Sequence, residues 1–495
     1  MATTRSGGTR RGFLLACAST LTAGCAPPPV AAASAKRSLG AIRAPSVAVV
    51  GAGLSGLAVA LWLTEFGFDV RVFEATQRAG GRISTIHSPF IDGQYVEAGA
   101  AHVINDPTLL ELCRSIDVRL EQWTPQRGLS RVTLLGSERT AHPANTQAPD
   151  TKPPLSAEEN QLGAEGRMRK YFAEAETLDP TASLPQRLWH LDELSGAALL
   201  RQRGASPGFV AEMDGMLGLG DTGIEGMSAL GMIQEWASIV REIKLGGNAR
   251  VVGGCDRLPT AIAHRLGDRI SYGAEVRGLR QREHDVQIAF RRLGNEQSIV
   301  VDHAVLAIPP PLLRKLVIDP ALPADKARAI SEIALENVTR VWAQTDRRFW
   351  IERGESGRVD TDSAFGPVRD ESEGMRGSPG LLGLYVRRAE ASRLAKLSDE
   401  ERRQAALDFM DLAQPGVKRH LLATASKCWS SEPFQQGAYA YFKVGQAAMF
   451  GPALARPVGR VHFAGDHASH RPGFMHGALA AAQRVVQEVV AFEGR

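Results

Sequence analysis

The feature that most constrains the fold is a β-branched run, Ser46–Val50, which passes directly into the glycine-rich stretch 51–56, Gly-Ala-Gly-Leu-Ser-Gly. The hydrophobic pattern predicts an apolar helix over residues 57–66 and a second strand over 69–73, which ends at Glu74. A strand, a glycine turn, a helix, a strand and an acid in this order are typical of a dinucleotide-binding unit. The folded part of the chain is therefore predicted to begin with a parallel, Rossmann-like α/β unit.

Each glycine of this stretch has a separate predicted role. Gly51 allows the tight turn, Gly53 lets the backbone approach a pyrophosphate, and Gly56 lets the helix pack against the strand. The N–H groups of the first helical turn, around Ser55, are predicted to bind phosphate. Glu74 is placed to accept hydrogen bonds from the adenosine ribose. This fingerprint alone does not separate NAD from FAD.

Two further segments favour FAD through a resemblance. Residues 78–82, Arg-Ala-Gly-Gly-Arg, and residues 460–466, Arg-Val-His-Phe-Ala-Gly-Asp, resemble two motifs of the flavin amine oxidase family. By this resemblance Arg82 neutralises pyrophosphate charge, the Gly465–Asp466 pair brings its acid to the ribityl chain, and the backbone of Val276 contacts the adenine. Taken alone, residues 78–82 are also typical of a solvated surface turn.

The resemblance extends from about Ser46 to Arg495 and implies a two-domain α/β flavoprotein, with a Rossmann-like FAD domain and a mixed α+β substrate domain. Residues 156–176 and 192–213 are helix-like and predict a helical insertion in the second domain. The predicted FAD domain comprises residues 45–102, 245–312 and 455–495, and the substrate domain comprises 103–244 and 313–454.

The resemblance also implies which residues act on the substrate. Lys315 matches the family lysine that holds a water near flavin N5 and assists reaction with oxygen; the alternative is a solvated lysine beside Arg314. Tyr439 and Phe474 match two aromatic residues that flank the amine, where rings favour a cation. Plain core packing is the alternative for both rings. No metal is expected.

The cofactor is expected to be non-covalent FAD, because Ala438 stands where monoamine oxidases carry the cysteine that bonds to the flavin. The implied reaction is oxidative deamination of an L-amino acid or primary amine to the imine, with hydride passing to flavin N5 and O2 reduced to H2O2. A dehydrogenase or desaturase that uses another electron acceptor is the first alternative, and a non-catalytic FAD-binding protein is the second.

The sequence leaves the substrate class open. Residues 254–259 and 349–352 resemble L-amino-acid oxidases, but the stretch 97–102, Glu-Ala-Gly-Ala-Ala-His, lacks the arginine that many of those enzymes use to bind the substrate carboxylate. A buried carboxylate needs a charge partner. Either another basic residue, with His102 as one candidate, supplies it, or the substrate has no α-carboxylate. The predicted substrate pocket comprises His102, Trp429, Tyr439 and Phe474.

Residues 1–37 are predicted to be an export leader. Residues 9–15, Thr-Arg-Arg-Gly-Phe-Leu-Leu, resemble the twin-arginine signal, and the apolar run that follows is shorter than the ~20 residues needed to span a bilayer. Residues 33–35, Ala-Ser-Ala, fit a cleavage site, while Cys25 allows a lipoprotein anchor instead. The protein is therefore expected to pass through the twin-arginine machinery to the periplasm or the extracellular space.

The overall charge does not predict a nucleic-acid partner. Five of the 58 basic residues and none of the 54 acidic residues lie in the leader, so the rest of the chain is close to neutral. A nucleic-acid-binding protein needs a basic face. The five cysteines show no metal-ligand spacing. Assembly into a homo-oligomer stays open.

Overall fold

The computed structural model describes residues 43–101, 103–122, 128–143, 153–179, 182–246, 248–470 and 472–494. The predicted leader, including Cys25, and the pocket candidate His102 lie outside these residues. Among the described residues, no helix combines the length and apolarity needed to cross a bilayer, and no cluster of acid, histidine and cysteine side chains could hold a metal ion.

Strands and helices both occur along the described part of the chain, partly in runs of one kind. The strands are, in chain order, β1 Ser46–Val50, β2 Asp69–Glu74, β3 Thr85–Ile86, β4 Val96–Glu97, β5 Val103–Ile104, β6 Leu120–Gln122, β7 Ser130–Leu135, β8 Glu138–His142, β9 Asn248–Val251, β10 Ile270–Tyr272, β11 Ala274–Gln281, β12 Val286–Arg292, β13 Asn295–Val301, β14 His303–Leu306, β15 Val317–Asp319, β16 Ala334–Leu335, β17 Val338–Thr345, β18 Glu355–Thr361, β19 Val368–Asp370, β20 Gly380–Arg387, β21 Leu421–Cys428, β22 Ala440–Tyr441 and β23 Val461–Phe463. The α-helices are α1 Leu54–Glu65, α2 Pro107–Ser115, α3 Ala157–Tyr171, α4 Ala173–Thr177, α5 Gly196–Gln202, α6 Pro207–Leu217, α7 Ala229–Leu245, α8 Arg257–Leu266, α9 Pro310–Leu313, α10 Ala324–Glu332, α11 Phe349–Glu352, α12 Arg388–Ala395, α13 Asp399–Ala413, α14 Ala447–Ala455 and α15 Met475–Phe492.

A five-stranded parallel sheet with the strand order β10-β2-β1-β14-β23 lies at the centre of the predicted FAD-binding domain. Its strands come from all three chain segments assigned to that domain, and the predicted α/β class is confirmed. Every residue of β1 is buried, because α1 and α15 pack on one face of the sheet and a second apolar cluster covers the other. Helix α1 begins three residues earlier than predicted, at Leu54. The domain boundaries themselves stay predictions.

A mixed seven-stranded sheet with the order β21-β17-β20-β19-β18-β7-β8 forms the second large layer. Alternate side chains of β17, the second strand from one edge, point to opposite faces. One set, including Val341 and Ala343, packs with helices α12 and α13 in one apolar cluster. The other set, including Val338 and Trp342, joins a smaller cluster with Trp429 and Tyr439. This second face therefore lies beside the residues predicted to form the substrate pocket.

Helices occur in both segments predicted to be helix-like, but residues 192–213 do not form one helical stretch. A 3-10 helix ends at Glu193, and helices α5 and α6 follow as separate elements. Ser195 accepts a hydrogen bond from the N–H of Ala198, and Ser206 accepts one from the N–H of Phe209, so each serine caps a new helix. Pro207 also disfavours helical geometry at Ser206.

Candidate active site

One pocket brings together predicted site residues from both ends of the chain. It extends from the carboxyl ends of β1 and β2 to a group of aromatic side chains near β20. Its lining includes most of the residues predicted from the sequence, namely Gly51, Gly53, Ser55, Glu74, Arg82, Val276, Lys315, Trp429, Tyr439, Gly465, Asp466 and Phe474. In open parallel α/β sheets, ligands bind at this edge of the strands.

The three glycines of the first turn occupy distinct steric environments. Gly51 has φ +102°, and a Cβ there would lie 2.9 Å from the carbonyl oxygen of Ala307. A Cβ at Gly56, which lies behind the pocket, would come within 2.1 Å of the carbonyl oxygen of Gly51. At Gly53, by contrast, a Cβ would meet no atom within 4 Å. Gly51 and Gly56 are therefore required by the fold, while Gly53 leaves open space on the pocket side.

The start of helix α1 faces the pocket without a side-chain cap. Its N-cap residue is Gly53, which makes no capping hydrogen bond through a side chain, and Leu54 and Ser55 line the pocket. The first N–H groups of a helix attract anions. The hydroxyl of Ser55 accepts a hydrogen bond of 3.0 Å from the buried N–H of Gly465. Ser55 thus connects the first motif to the C-terminal one.

Glu74 is buried and supports the turn, a role that the sequence did not predict. One carboxylate oxygen accepts a hydrogen bond of 2.8 Å from the N–H of Ala52. The other accepts hydrogen bonds from the N–H and the hydroxyl of Thr76, at 2.9 and 2.7 Å. The carboxylate therefore fixes the glycine turn relative to β2, and it also lines the pocket where a ribose was predicted.

Arg82 and Asp466 form an ion pair beside this turn, although 384 residues separate them. Arg82 also donates a hydrogen bond of 2.6 Å to the carbonyl oxygen of Ala438, and the N–H of Gly473 donates one of 3.0 Å to Asp466. Burial raises the pKa of Asp466, but Arg82, His467 and the N–H of Gly473 together outweigh burial and hold the pKa below its usual value. Asp466 is therefore an anion on the pocket wall.

Aromatic side chains form the far end of the pocket. Tyr439 and Phe474 line it, as does Trp429, whose indole N–H donates a hydrogen bond of 2.8 Å to the carbonyl oxygen of Ala98. Burial raises the pKa of Tyr439 well above its usual value, so its hydroxyl stays neutral. The sequence missed Tyr385, whose hydroxyl donates to that of Tyr439 at 3.4 Å. Tyr385 lies on β20, and no local motif marks it.

Backbone pairing fixes the position of Tyr439. The N–H of Glu336 donates to the carbonyl oxygen of Tyr439 at 2.8 Å, and the N–H of Ala438 donates to the carbonyl oxygen of Glu336 at 2.9 Å. Strands β16 and β22 continue this pairing in antiparallel register. The ring of Tyr439 is thus held by main-chain hydrogen bonds that do not depend on its own side chain.

Lys315 lies on the pocket lining, two residues after the short helix α9. Its side chain is exposed, and within the described part of the chain its ammonium has no hydrogen-bond or ion-pair partner. A position on the rim agrees with both predictions for this lysine, a pocket cation and a solvated surface residue. Its role in a reaction stays a prediction.

Glu97 is a partly buried acid outside the pocket lining, at the start of the stretch in which the sequence lacks an arginine. Its carboxylate accepts a hydrogen bond of 2.7 Å from the N–H of Cys255 and one of 2.8 Å from the hydroxyl of Thr85. Burial nevertheless raises the pKa of Glu97 to about 7. These contacts assign Glu97 to holding the strands together.

The comparisons with known proteins agree with this geometry. Residues 54–490 match the model of the flavin-containing amine oxidoreductase family. The chain belongs to this family. Members are flavin-dependent amine and L-amino-acid oxidases, so the resemblance inferred from the sequence motifs is confirmed, and the chain is an enzyme of this type.

Three similar proteins illustrate the range of this family. YobN of Bacillus subtilis, a protein provisionally named as an L-amino-acid oxidase, is 28% identical over 458 residues, which cover 90% of this chain and 94% of that protein. The flavin-containing amine oxidase A of Sus scrofa is 24% identical over 457 residues, or 90% and 84% of the two chains. The solved structure of putrescine oxidase bound to putrescine has 25% identity and a TM-score of 0.76, and covers 91% and 99% of the chains.

Family membership implies a flavin cofactor, and the pocket fits one. The open space at Gly53 and the uncapped start of α1 suit a pyrophosphate. Gly81 packs against Gly53, since a Cβ at Gly81 would lie 3.3 Å from the Cα of Gly53, and this contact brings a second backbone segment to the same wall. The polar groups of Glu74 and Asp466 line the same pocket. The individual contacts of the cofactor stay predictions.

The contrast between Gly53 and Gly56 gives a test of this fit. Gly56→Ala should lower the free energy of unfolding of the flavin-free protein by about 1–3 kcal/mol, because its methyl group overlaps a backbone carbonyl. Gly53→Ala should change it by no more than about 0.5 kcal/mol, because the methyl group enters open space.

Urea unfolding measures the stability, and flavin retained after gel filtration measures binding. Gly53→Ala should lose flavin despite its normal stability, since the methyl group occupies the place predicted for the pyrophosphate. Normal flavin retention in Gly53→Ala would show that the pyrophosphate does not approach this residue.

Proposed function

We propose that this enzyme oxidises a primary amine or an L-amino acid to the imine and passes the electrons to O2, which is released as H2O2. The observation that carries this proposal is that Tyr439 and Phe474 lie in the same pocket as the predicted FAD-binding residues Gly53, Glu74 and Asp466. A pocket that joins a dinucleotide-binding wall to aromatic rings suits oxidation of a small organic cation.

Residues at the edge of the parallel sheet, together with Val276 on β11 of a four-stranded sheet, would hold the cofactor. The N-terminus of α1 and the backbone of Gly53 would bind the pyrophosphate, Glu74 the ribose, and the backbone of Val276 the adenine. Asp466 would face the ribityl chain while its pair with Arg82 keeps the carboxylate ionised. When bound, FAD supplies the redox chemistry of the reaction.

The aromatic end of the pocket would bind and desolvate the substrate. The rings of Tyr439 and Phe474 would flank the amine, a contact worth roughly 0.5–2 kcal/mol for a cation. Trp429 is fixed through its indole N–H and lines the same pocket. Main-chain hydrogen bonds hold Tyr439 in place, so the substrate meets a wall that is already ordered before binding.

Lys315 would place a positive charge beside the reacting groups. Reduction of O2 builds negative charge, and a nearby ammonium stabilises that charge. Its ammonium has no ionic partner within the described residues, which leaves its charge available for this role. A dehydrogenase or desaturase that passes electrons to another acceptor would not need this charge.

Stopped-flow absorbance tests the proposal on the two half-reactions separately. Anaerobic mixing with a panel of amines and L-amino acids should bleach the flavin of the unsubstituted protein, and aerobic turnover should release H2O2. Lys315→Met should slow reoxidation by O2 roughly 10- to 1000-fold, equivalent to about 1.4–4 kcal/mol in barrier, and slow anaerobic reduction much less.

Each outcome of this experiment has a distinct meaning. A flavin that no amine or amino acid bleaches would overturn the proposed reaction. Bleaching without H2O2 would assign the electrons to another acceptor. Unchanged reoxidation in Lys315→Met would make this lysine a surface residue, and a selective loss of reduction would move it into substrate binding.

We also propose that the FAD is held without a covalent bond. Ala438 lines the pocket and offers no thiol, and its carbonyl oxygen already accepts a hydrogen bond from Arg82. Acid precipitation of the purified protein should therefore leave the yellow colour in the supernatant. Colour that stays with the precipitate would contradict this proposal.

Export by the twin-arginine route, to the periplasm or the extracellular space, is a further proposal that rests on Arg10 and Arg11. This route carries folded proteins, which suits an enzyme that takes up its cofactor before export. Replacing both arginines by lysine should retain the protein in the cytoplasm, as measured by cell fractionation. Unchanged export would reject the proposal, and loss of membrane association in Cys25→Ala would support a lipid anchor.

A further inference from the structure

Tyr385 is an aromatic residue of the pocket, and its ring is contacted by Arg340 from the neighbouring strand. It lies on β20 directly across from Arg340 on β17 in the antiparallel register. Its hydroxyl reaches that of Tyr439, and its ring lines the pocket. Tyr385 is partly exposed, while the leucine before it and the valine after it are buried on the opposite face.

Arg340 lies beneath this ring and is itself buried. Its guanidinium carbon is 5.4 Å from the ring centroid of Tyr385 and 4.9 Å from that of Trp342. The same guanidinium donates to the carboxylate of Glu371 and to the carbonyl oxygen of Glu97. Two hydrogen-bond partners on separate segments fix its plane, because the guanidinium fork is rigid.

These contacts form a layered support for one wall of the pocket. The charge of Arg340 attracts the face of the Tyr385 ring, an interaction that strengthens when the cation is removed from water. Since Arg340 is only 6% exposed, the ring rests on a cation that water does not screen. Tyr385 therefore presents a fixed aromatic surface toward the substrate, next to the ring of Tyr439.

We propose that Tyr385 determines substrate specificity by packing against the carbon substituent of the amine, and that Arg340 is its positioning residue. The inference rests on the proposed function and extends it to a substrate class. The surface that Tyr385 offers is flat and aromatic, so the preferred substrate carries a planar ring rather than a saturated ring of equal carbon count. Aromatic pairs gain from this geometry beyond the area that they bury.

Two amines that differ only in ring saturation test the proposal on the flavin-loaded, full-length protein. Benzylamine and cyclohexylmethylamine have the same carbon count and the same aminomethyl group. The ratio of their second-order rates of anaerobic flavin reduction reports the preference. Tyr385→Leu should lower that ratio roughly 2- to 10-fold, while Tyr385→Phe keeps the ring and should retain the preference.

Arg340 is tested by the same ratio with a matched control. Arg340→Gln should lower it in the same direction as Tyr385→Leu, and Arg340→Lys, which keeps the charge, should restore part of it. Arg402 is a second buried arginine, with Asp399, Ser426 and backbone carbonyls as partners and no pocket residue among them. Arg402→Gln should therefore leave the ratio unchanged even where it lowers stability.

Binding without turnover gives a second readout. α,α-Dimethylbenzylamine has no hydrogen on its α-carbon, so it binds but cannot be oxidised, and its Kd is measured from the change in the flavin spectrum. Tyr385→Leu should weaken its binding relative to the saturated analogue. This readout keeps the inference testable through Tyr385 where Arg340→Gln fails to fold.

The outcomes separate this inference from the proposed function. An unchanged ratio in Tyr385→Leu, or an equal shift in Arg340→Gln and Arg402→Gln, would overturn it. Failure of every amine and amino acid to reduce the flavin of the unsubstituted protein would instead reject the proposed function. In that case the Kd series still decides whether Tyr385 selects planar ligands.

Discussion

The ion pair between Arg82 and Asp466 is the contact on which the pocket depends, because it joins the first and the last parts of the fold. It lies where the glycine turn, the segment around Ala438 and the start of α15 meet. Asp466 is only 6% exposed, so loss of Arg82 would leave a buried carboxylate without its main partner. Removal of one member of a buried pair is strongly destabilising. The hydrogen bond between Ser55 and Gly465 supports the same junction from the other side of the turn.

The parallel sheet and the seven-stranded sheet contribute different groups to the site, one mainly backbone and the other mainly side chains. The parallel sheet supplies mainly backbone, at the turn of Gly53 and the start of α1, and β11 of a four-stranded sheet adds the backbone around Val276. The seven-stranded sheet and the segment after it supply side chains, among them Tyr385, which contacts Tyr439. A cofactor with phosphates is bound well by main-chain N–H groups, whereas a small amine is distinguished by the shapes of side chains.

This difference explains how much of the molecule could be predicted from its sequence. Gly51, Gly53 and Gly56 are close in sequence and are constrained by local geometry, so the motif predicted both the βαβ unit and its steric roles. Tyr439 was found only through its resemblance to a family motif. Tyr385 had no local signal, because its place in the pocket follows from the register of β20 against β17, which joins residues some 45 positions apart.

Helix boundaries show the same limit on a smaller scale. The apolar pattern over residues 192–213 predicted helix, yet the capping by Ser195 and Ser206 divides the segment. A serine side chain that accepts a hydrogen bond from a nearby backbone N–H favours the start of a helix over the interior of one. Glu74 illustrates the converse case: the sequence predicted its place at the end of β2 but not its hydrogen bond to Ala52.

The arginines on the pocket lining are paired with acids, and one lysine is not. On the pocket lining, Arg82 is paired with Asp466, and Arg277 is paired with Glu275 at 3.0 Å. Each pair is close to neutral at a distance, so neither adds much net field in the pocket. Among the described lining residues, Lys315 is the cation without an acidic partner. The unpaired positive charge of the described lining is therefore carried by one exposed side chain on the rim, where it can meet a negative charge that develops inside.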